Sequence, residues 1–144
     1  MKKNDPHRKI LEGVFEEVLK KTGLKGGIKE GDQIIPQDFE IVGTFFIGNF
    51  SIFLREYGFA DVAIHSQIYN DSILIEDPDN YNNSIGDEIP FADPNSFSKA
   101  ADSIIKYITK VLERKSANLE KEILMLQKKS DKCQDQIGRI NGRR

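Results

Sequence analysis

Cysteine is nearly missing from this chain: Cys133 stands alone among 144 residues. One thiol cannot form an internal disulfide or build a cysteine-rich zinc site. A reducing, cytoplasmic setting is therefore the expectation. Long apolar runs are missing too. None approaches the roughly 18 residues of a membrane-spanning helix, so no membrane association is expected. Lys2 and Lys3 are followed by no apolar stretch, and the start does not read as a secretory signal. Proline is absent after Pro94, and the only glycines after Ser96 are Gly138 and Gly142. Nothing there interrupts a helix.

The hydrophobic fraction of 38% and charged fraction of 31% suit a soluble protein tilted toward polar. The length fits one domain with at most an appendage. The net charge of −2 conceals a division. Residues 1–95 hold nine Lys/Arg against seventeen Asp/Glu, or −8, whereas residues 96–144 hold twelve against six, or +6. An acidic head is joined to a basic tail, a pattern that points to an acidic or polyanionic partner, or to the tail's own head.

The first element is an amphipathic helix. Asp5 suits an N-cap, Pro6 the first helical position, and Gly23 the position after the last turn. Ile10, Leu11, Val14, Phe15, Val18 and Leu19 make one apolar stripe. The glycine-rich stretch "GLKGGIKEGDQIIPQD" lacks the Gly-Lys-Ser/Thr ending of a phosphate loop and reads as a plain connection.

From Phe39 to Asp77 the period becomes two. "EIVGTFFI", "FSIFLRE", "DVAIHSQIY" and "SILIED" are four β-branched and aromatic runs in sequence. Loops at Gly48-Asn49 and Asn70-Asp71, with a three-residue turn Gly58-Phe59-Ala60, predict a four-stranded antiparallel meander. This register sets Phe45 opposite Ile52, Phe50 opposite Ile68, Leu54 opposite Ile64, Ile68 opposite Ile73 and His65 opposite Glu76. The inner face carries Phe45, Ile47, Phe50, Ile52, Leu54, Val62, Ile64, Ile68, Ile73 and Ile75. The outer face keeps large residues, Val42, Phe46, Phe53 and Tyr69, among polar ones, which marks it as a partner-binding face.

Residues 77–95 read as a polar loop. Asp77, Asp79, Asn83 and Glu88 fall on calcium-loop positions, but Tyr81 and Asn82 break the pattern and no helix precedes it. No metal or cofactor is expected.

Asn95 or Ser96 caps a final helix that is broadly apolar as far as Val111 and narrow beyond it. Ile105, Leu112, Leu119, Leu126, Cys133 and Ile140 recur every seven residues. As d positions they define a positions at Thr109, Ser116, Ile123, Ser130 and Ile137. The expected fold class is α+β: an N-terminal helix, the meander, and a long C-terminal helix extending as a coiled coil. The expected division is a head at 1–111 and a helical extension at 112–144.

Function is read from these parts. The leading expectation is a non-catalytic interaction and oligomerisation module, a homodimer or higher, acting as an adaptor that presents its acidic head to another protein. Leu112, Leu119, Ile123, Leu126, Cys133, Ile137 and Ile140 form the oligomer interface. In a parallel pair, Lys115 would face Glu120 of the second helix. A competing reading assigns nucleic-acid binding to Lys121, Lys128, Lys129, Lys132, Arg139, Arg143 and Arg144. Interleaved acids and the lack of aromatics after Tyr107 weigh against it. A third reading makes His65 and Glu76, with Arg55 a strand away, an acid–base pair of a small enzyme.

Overall fold

The computed structural model describes residues 6–30, 34–36, 38–46, 48–55, 62–80 and 85–142. Two compact units make up the chain, Met1–Val111 and Leu112–Arg144.

In the first unit, helix α1 spans Pro6–Thr22. It ends where Gly23, at φ 69°, donates its N–H to the Leu19 carbonyl, a left-handed C-terminal stop. Strands follow at β1 (Gly26–Lys29), β2 (Ile41–Phe46), β3 (Asn49–Leu54), β4 (Val62–Ile68), β5 (Ser72–Glu76) and β6 (Gly86–Pro90). Helix α2 then runs over Ser96–Asn141. The strands form one sheet in the order β1-β2-β3-β4-β5-β6, with β1 parallel to β2 and every other pair antiparallel.

The expected four-stranded antiparallel meander is thus the centre of a six-stranded mixed sheet. Both additional strands lie at edges, and neither has a period-two apolar pattern. In β1, "GGIK", Gly26 comes so close to β2 that a Cβ there would lie 2.0 Å from the Ile41 carbonyl oxygen. In β6, "GDEIP", Gly86 makes the same approach to the Ile75 carbonyl, also at 2.0 Å. Backbone pairing, not side-chain burial, makes these segments strands, and that leaves little trace in hydropathy.

One face of the sheet is buried. Ile41, Phe50, Ile52, Val62, Ile64, Ile68, Ile73, Ile75 and Ile89 are all buried, and cross-strand partners share a face. Helix α1 lies against it through Leu11, Val14, Phe15 and Val18. It sits directly over Gly43, where a Cβ would meet Phe15 and Leu11 side chains at 3.2 and 3.3 Å. The first turns of α2 bury Ala100, Ala101, Ile104, Tyr107 and Ile108. Phe97 covers Gly13 of α1, at 2.5 Å from where a Cβ would be. Between the helices, Lys21 pairs with Asp102 at 2.6 Å.

Two of the expected registers slip by two residues, which keeps every side chain on its face. Phe45 pairs with Phe50, not Ile52, because Phe46 already pairs with Asn49. Gly48, at φ 74°, takes the left-handed conformation, and Asn49 already begins β3. Phe50 pairs with Ser66 and Leu54 with Val62, replacing the expected Phe50–Ile68 and Leu54–Ile64 pairs. The turn Gly58-Phe59-Ala60 and Ile47 lie outside the described residues. The third hairpin has the expected register, with Ile68 opposite Ile73 and Ser66 opposite Ile75.

The slip at β3–β4 has a packing reason. Ser66 sits between Phe50 and Ile75 on the buried face, and all three are at most 1% exposed. A small residue between two large ones fills the layer, whereas pairing by hydropathy alone favours large against large. The Ser66 hydroxyl has no hydrogen-bond partner among the described residues. Ser66→Ala should therefore change stability by less than about 1 kcal/mol, and Ser66→Leu should cost about 1–3 kcal/mol by overpacking. Urea unfolding of the two variants checks this; equal, small effects would place Ser66 outside the core.

The second unit is helical throughout its described length, Leu112 to Asn141. Leu112 is half-buried, while Leu119, Ile123, Leu126, Ile137 and Ile140 are between 50 and 67% exposed.

Candidate functional site

The outer face of the sheet carries two short chains of hydrogen-bonded polar side chains. Thr44, Ser51 and His65 stand side by side on β2, β3 and β4. Glu76 on β5 follows Ile75, the partner of Ser66, and so occupies the next rung beside His65. Ser51 Oγ and His65 Nδ1 are 2.7 Å apart. Gln67 Nε2 donates to Glu76 Oε1 at 2.8 Å, and the Tyr69 hydroxyl donates to Gln67 Oε1 at 2.6 Å. The carboxylate, which only accepts, fixes the orientation of the Gln67 amide: its NH₂ faces Glu76 and its carbonyl oxygen is left to accept from Tyr69. The Phe53 ring meets His65 edge-on, with centroids 6.4 Å apart.

Ser51, His65, Gln67 and Glu76 line an open depression of about 300 Å³, together with Phe46, Asn49, Phe50 and Ser66. Phe46 also borders a second depression of about 260 Å³ with Ile35, Val42, Thr44, Phe53 and Arg55. Arg55 is held there by its bond to the Pro36 carbonyl at 2.8 Å. Phe39 lies over Gly27, 2.9 Å from where its Cβ would be. Ile35 and Phe39 thereby cover the β1–β2 end of the outer face, and on β3 and β5 its residues Ser51, Ser72, Leu74 and Glu76 are buried as well.

The four residues expected to form a partner-binding face divide accordingly. Val42 is buried and Phe53 half-buried, while Phe46 and Tyr69 are exposed. His65 and Glu76 do line one depression, but Arg55 belongs to the other. The hydrogen bonds of His65 and Glu76 given above run to Ser51 and Gln67. Sequence reasoning missed both partners. In the expected register Ser51 stood away from His65; the two-residue slip is what brings them together.

Ser51 is 2% exposed. A nucleophile needs an approach path to its oxygen, so Ser51 is better placed to orient the imidazole than to attack a substrate.

On the opposite face Asp87 forms a separate polar cluster that sequence reading also missed. It accepts from Ser103 Oγ at 2.6 Å and pairs with Lys106. Burial alone would raise its pKa, yet the Lys106 and Ser103 bonds outweigh burial and hold the carboxyl below its usual value. Burial, with the Asp87 charge added, pushes the Tyr107 hydroxyl up to about 12. Asp77 and Asp79 both pair with Lys110, at 3.2 and 3.0 Å, and Glu88 takes the Ser72 hydroxyl at 2.8 Å. Three of the calcium-template residues are thus engaged in side-chain bonds, and Asn83 lies outside the described residues. Among the described residues no group of three His, Cys, Asp or Glu is arranged to hold a metal.

On the second unit, Lys121, Lys128, Lys129 and Lys132 are exposed, and Arg139 pairs with Asp135 at 3.2 Å. Arg143 and Arg144 lie outside the described residues. Cys133 is a free, exposed thiol. Leu124 and Met125 are also exposed, at 53 and 59%, although neither falls on the heptad seam. No described helix is long and apolar enough to cross a membrane.

Tyr107 gives a measurable consequence. Its folded pKa lies above the ordinary value of about 10, so its contribution to stability is complete below that pH. The contribution is lost as pH rises from there toward 12, because the unfolded chain ionises first. A phenolate absorbance titration of the folded protein should show a late component near 12, and Tyr107→Phe should remove it. Loss of an early component instead would show that Tyr107 is not shielded.

Compared with known proteins, the chain matches no family model, no curated protein and no solved structure.

Proposed function

We propose that this protein is a non-catalytic assembly module. Its C-terminal helix pairs with that of a second copy as a parallel coiled coil, and its head presents the outer sheet face, through the exposed Phe46 and Tyr69, to another protein. The observation that carries this reading is the exposure of Leu119, Ile123, Leu126, Ile137 and Ile140, at 50–67%, along one uninterrupted helix. An isolated helix of this composition is marginal in water. Burying each leucine of the seam would contribute about 1.5–3 kcal/mol once a second surface covers it.

The heptad spacing favours another helix as that surface, since a and d positions repeated over several turns fit a facing helix carrying the same repeat. Ser116 and Ser130 at a positions weaken the seam while helping to fix its register. The basic side chains support the same geometry. Lys121 and Lys128 fall at f positions, opposite the a/d seam, where they would remain in water.

Multi-angle light scattering at micromolar concentration should find a dimer. Leu119→Ala combined with Leu126→Ala should convert it to a monomer while leaving the unfolding of the head unchanged. A wild-type monomer under those conditions would overturn the assembly reading.

Orientation has its own test. Cys133 is a d position, so in a parallel in-register pair the two thiols face each other across the seam. Molecular oxygen with a copper–phenanthroline catalyst should join them into a disulfide-linked dimer, which Cys133→Ser abolishes. A dimer that resists crosslinking would point to an antiparallel pair.

A further inference from the structure

The outer-face depression contains a carboxylate in an unusual position. Glu76 is only 7% exposed, yet it lines a depression of about 300 Å³ that opens to solvent. Among the described residues it forms no ion pair, and the hydrogen bond it accepts comes from a neutral amide, Gln67 Nε2 at 2.8 Å. Keeping a carboxylate out of water without a counter-charge is costly. A carboxylate held this way at the edge of an open site offers a strong, directional anchor to a cation.

The rest of the depression fits a cation carrying an apolar body. The Phe46 ring is 55% exposed and forms one wall, a surface on which an ammonium or an apolar group can rest. Asn49 and His65 add polar edges on the same lining. The cationic side chains of this face, Lys29 and Arg55, border the neighbouring depression instead. On the β6 side the nearest charged group of the same face is another acid, Glu88. An anion would meet Glu76 at close range, whereas a cation would meet no lysine or arginine in the lining.

We propose that this depression is a binding site for a small primary ammonium ligand. Its charged nitrogen pairs with the Glu76 carboxylate and its apolar body lies against Phe46. The volume, at the lower end of the range of ligand pockets, limits the body to about the size of one ring or a short alkyl chain. This site does not depend on the coiled coil, so the two readings stand or fall separately.

Benzylammonium is a suitable probe, compared with benzyl alcohol and benzoate at neutral pH. In amide NMR spectra of the full chain, benzylammonium should give saturable shifts centred on Phe46, His65, Gln67 and Glu76. The alcohol and the carboxylate should give none that saturate. Glu76→Gln keeps the shape and a carbonyl acceptor for Gln67, and should weaken binding by about tenfold or more. Phe46→Ala, at an exposed position that leaves the core untouched, should weaken it by about threefold. Equal binding of the alcohol, saturable binding of benzoate at these residues, no saturable shifts with benzylammonium, or affinity unchanged in both variants would each overturn the proposal.

Discussion

Everything in the head depends on the burial of one face of its sheet beneath two helices. Helices α1 and α2 both lie on the face carrying Phe50, Ile52, Ile64, Ile73 and Ile75, and that contact supplies the dominant stabilising term of a small domain. Because strand side chains alternate, covering one face leaves the other to be managed by different means. At the β1–β2 end it is covered by the chain itself, through Ile35 and Phe39. Farther along it is filled by hydrogen-bonded polar groups, from Ser51 through His65 and from Tyr69 through Gln67 to Glu76.

How much of this the residues announce depends on whether burial or backbone pairing defines an element. β2 to β5 are legible because their alternation is strong, and α1 because a proline and a glycine bracket an apolar stripe. β1 and β6 are illegible for the opposite reason. "GGIK" and "GDEIP" carry few apolar side chains, and their glycines serve close backbone approach. In β6 even the inward position 87 is an aspartate, made tolerable by Ser103 and Lys106 from α2. No local pattern reveals a partner that arrives from a distant helix.

The registers teach a finer lesson about the candidate site. Face assignment survives a slip of two residues, because the side-chain period is two, but cross-strand neighbours do not. The inner face was therefore readable, whereas the outer-face network was not. Ser51 and His65 become neighbours only in the register set by Phe50 against Ser66. A single Phe–Ser–Ile row in the core thus decides which polar groups meet on the opposite side of the sheet. The depression beside Glu76 is a by-product of core packing before it is anything else.

The second unit inverts this logic. In the head, a broad apolar surface finds its cover within the chain; beyond Val111 the stripe narrows to about two positions in seven, too little to hold a helix against a sheet. A narrower stripe suits a narrower partner, and the proposed pairing with a helix of the same repeat would supply one. Leu124 and Met125 complicate the picture, because at b and c positions they stay exposed even in a two-helix pair. Two such residues beside the seam at Ile123 and Leu126 broaden the apolar surface over that one turn. A pair of helices alone covers a/d positions, so any further cover over residues 123–126 would have to come from a third surface. The serines at positions 116 and 130, by contrast, weaken the seam on either side of that turn. The energetic centre of any assembly through this helix therefore lies at 119–126, between the two polar layers.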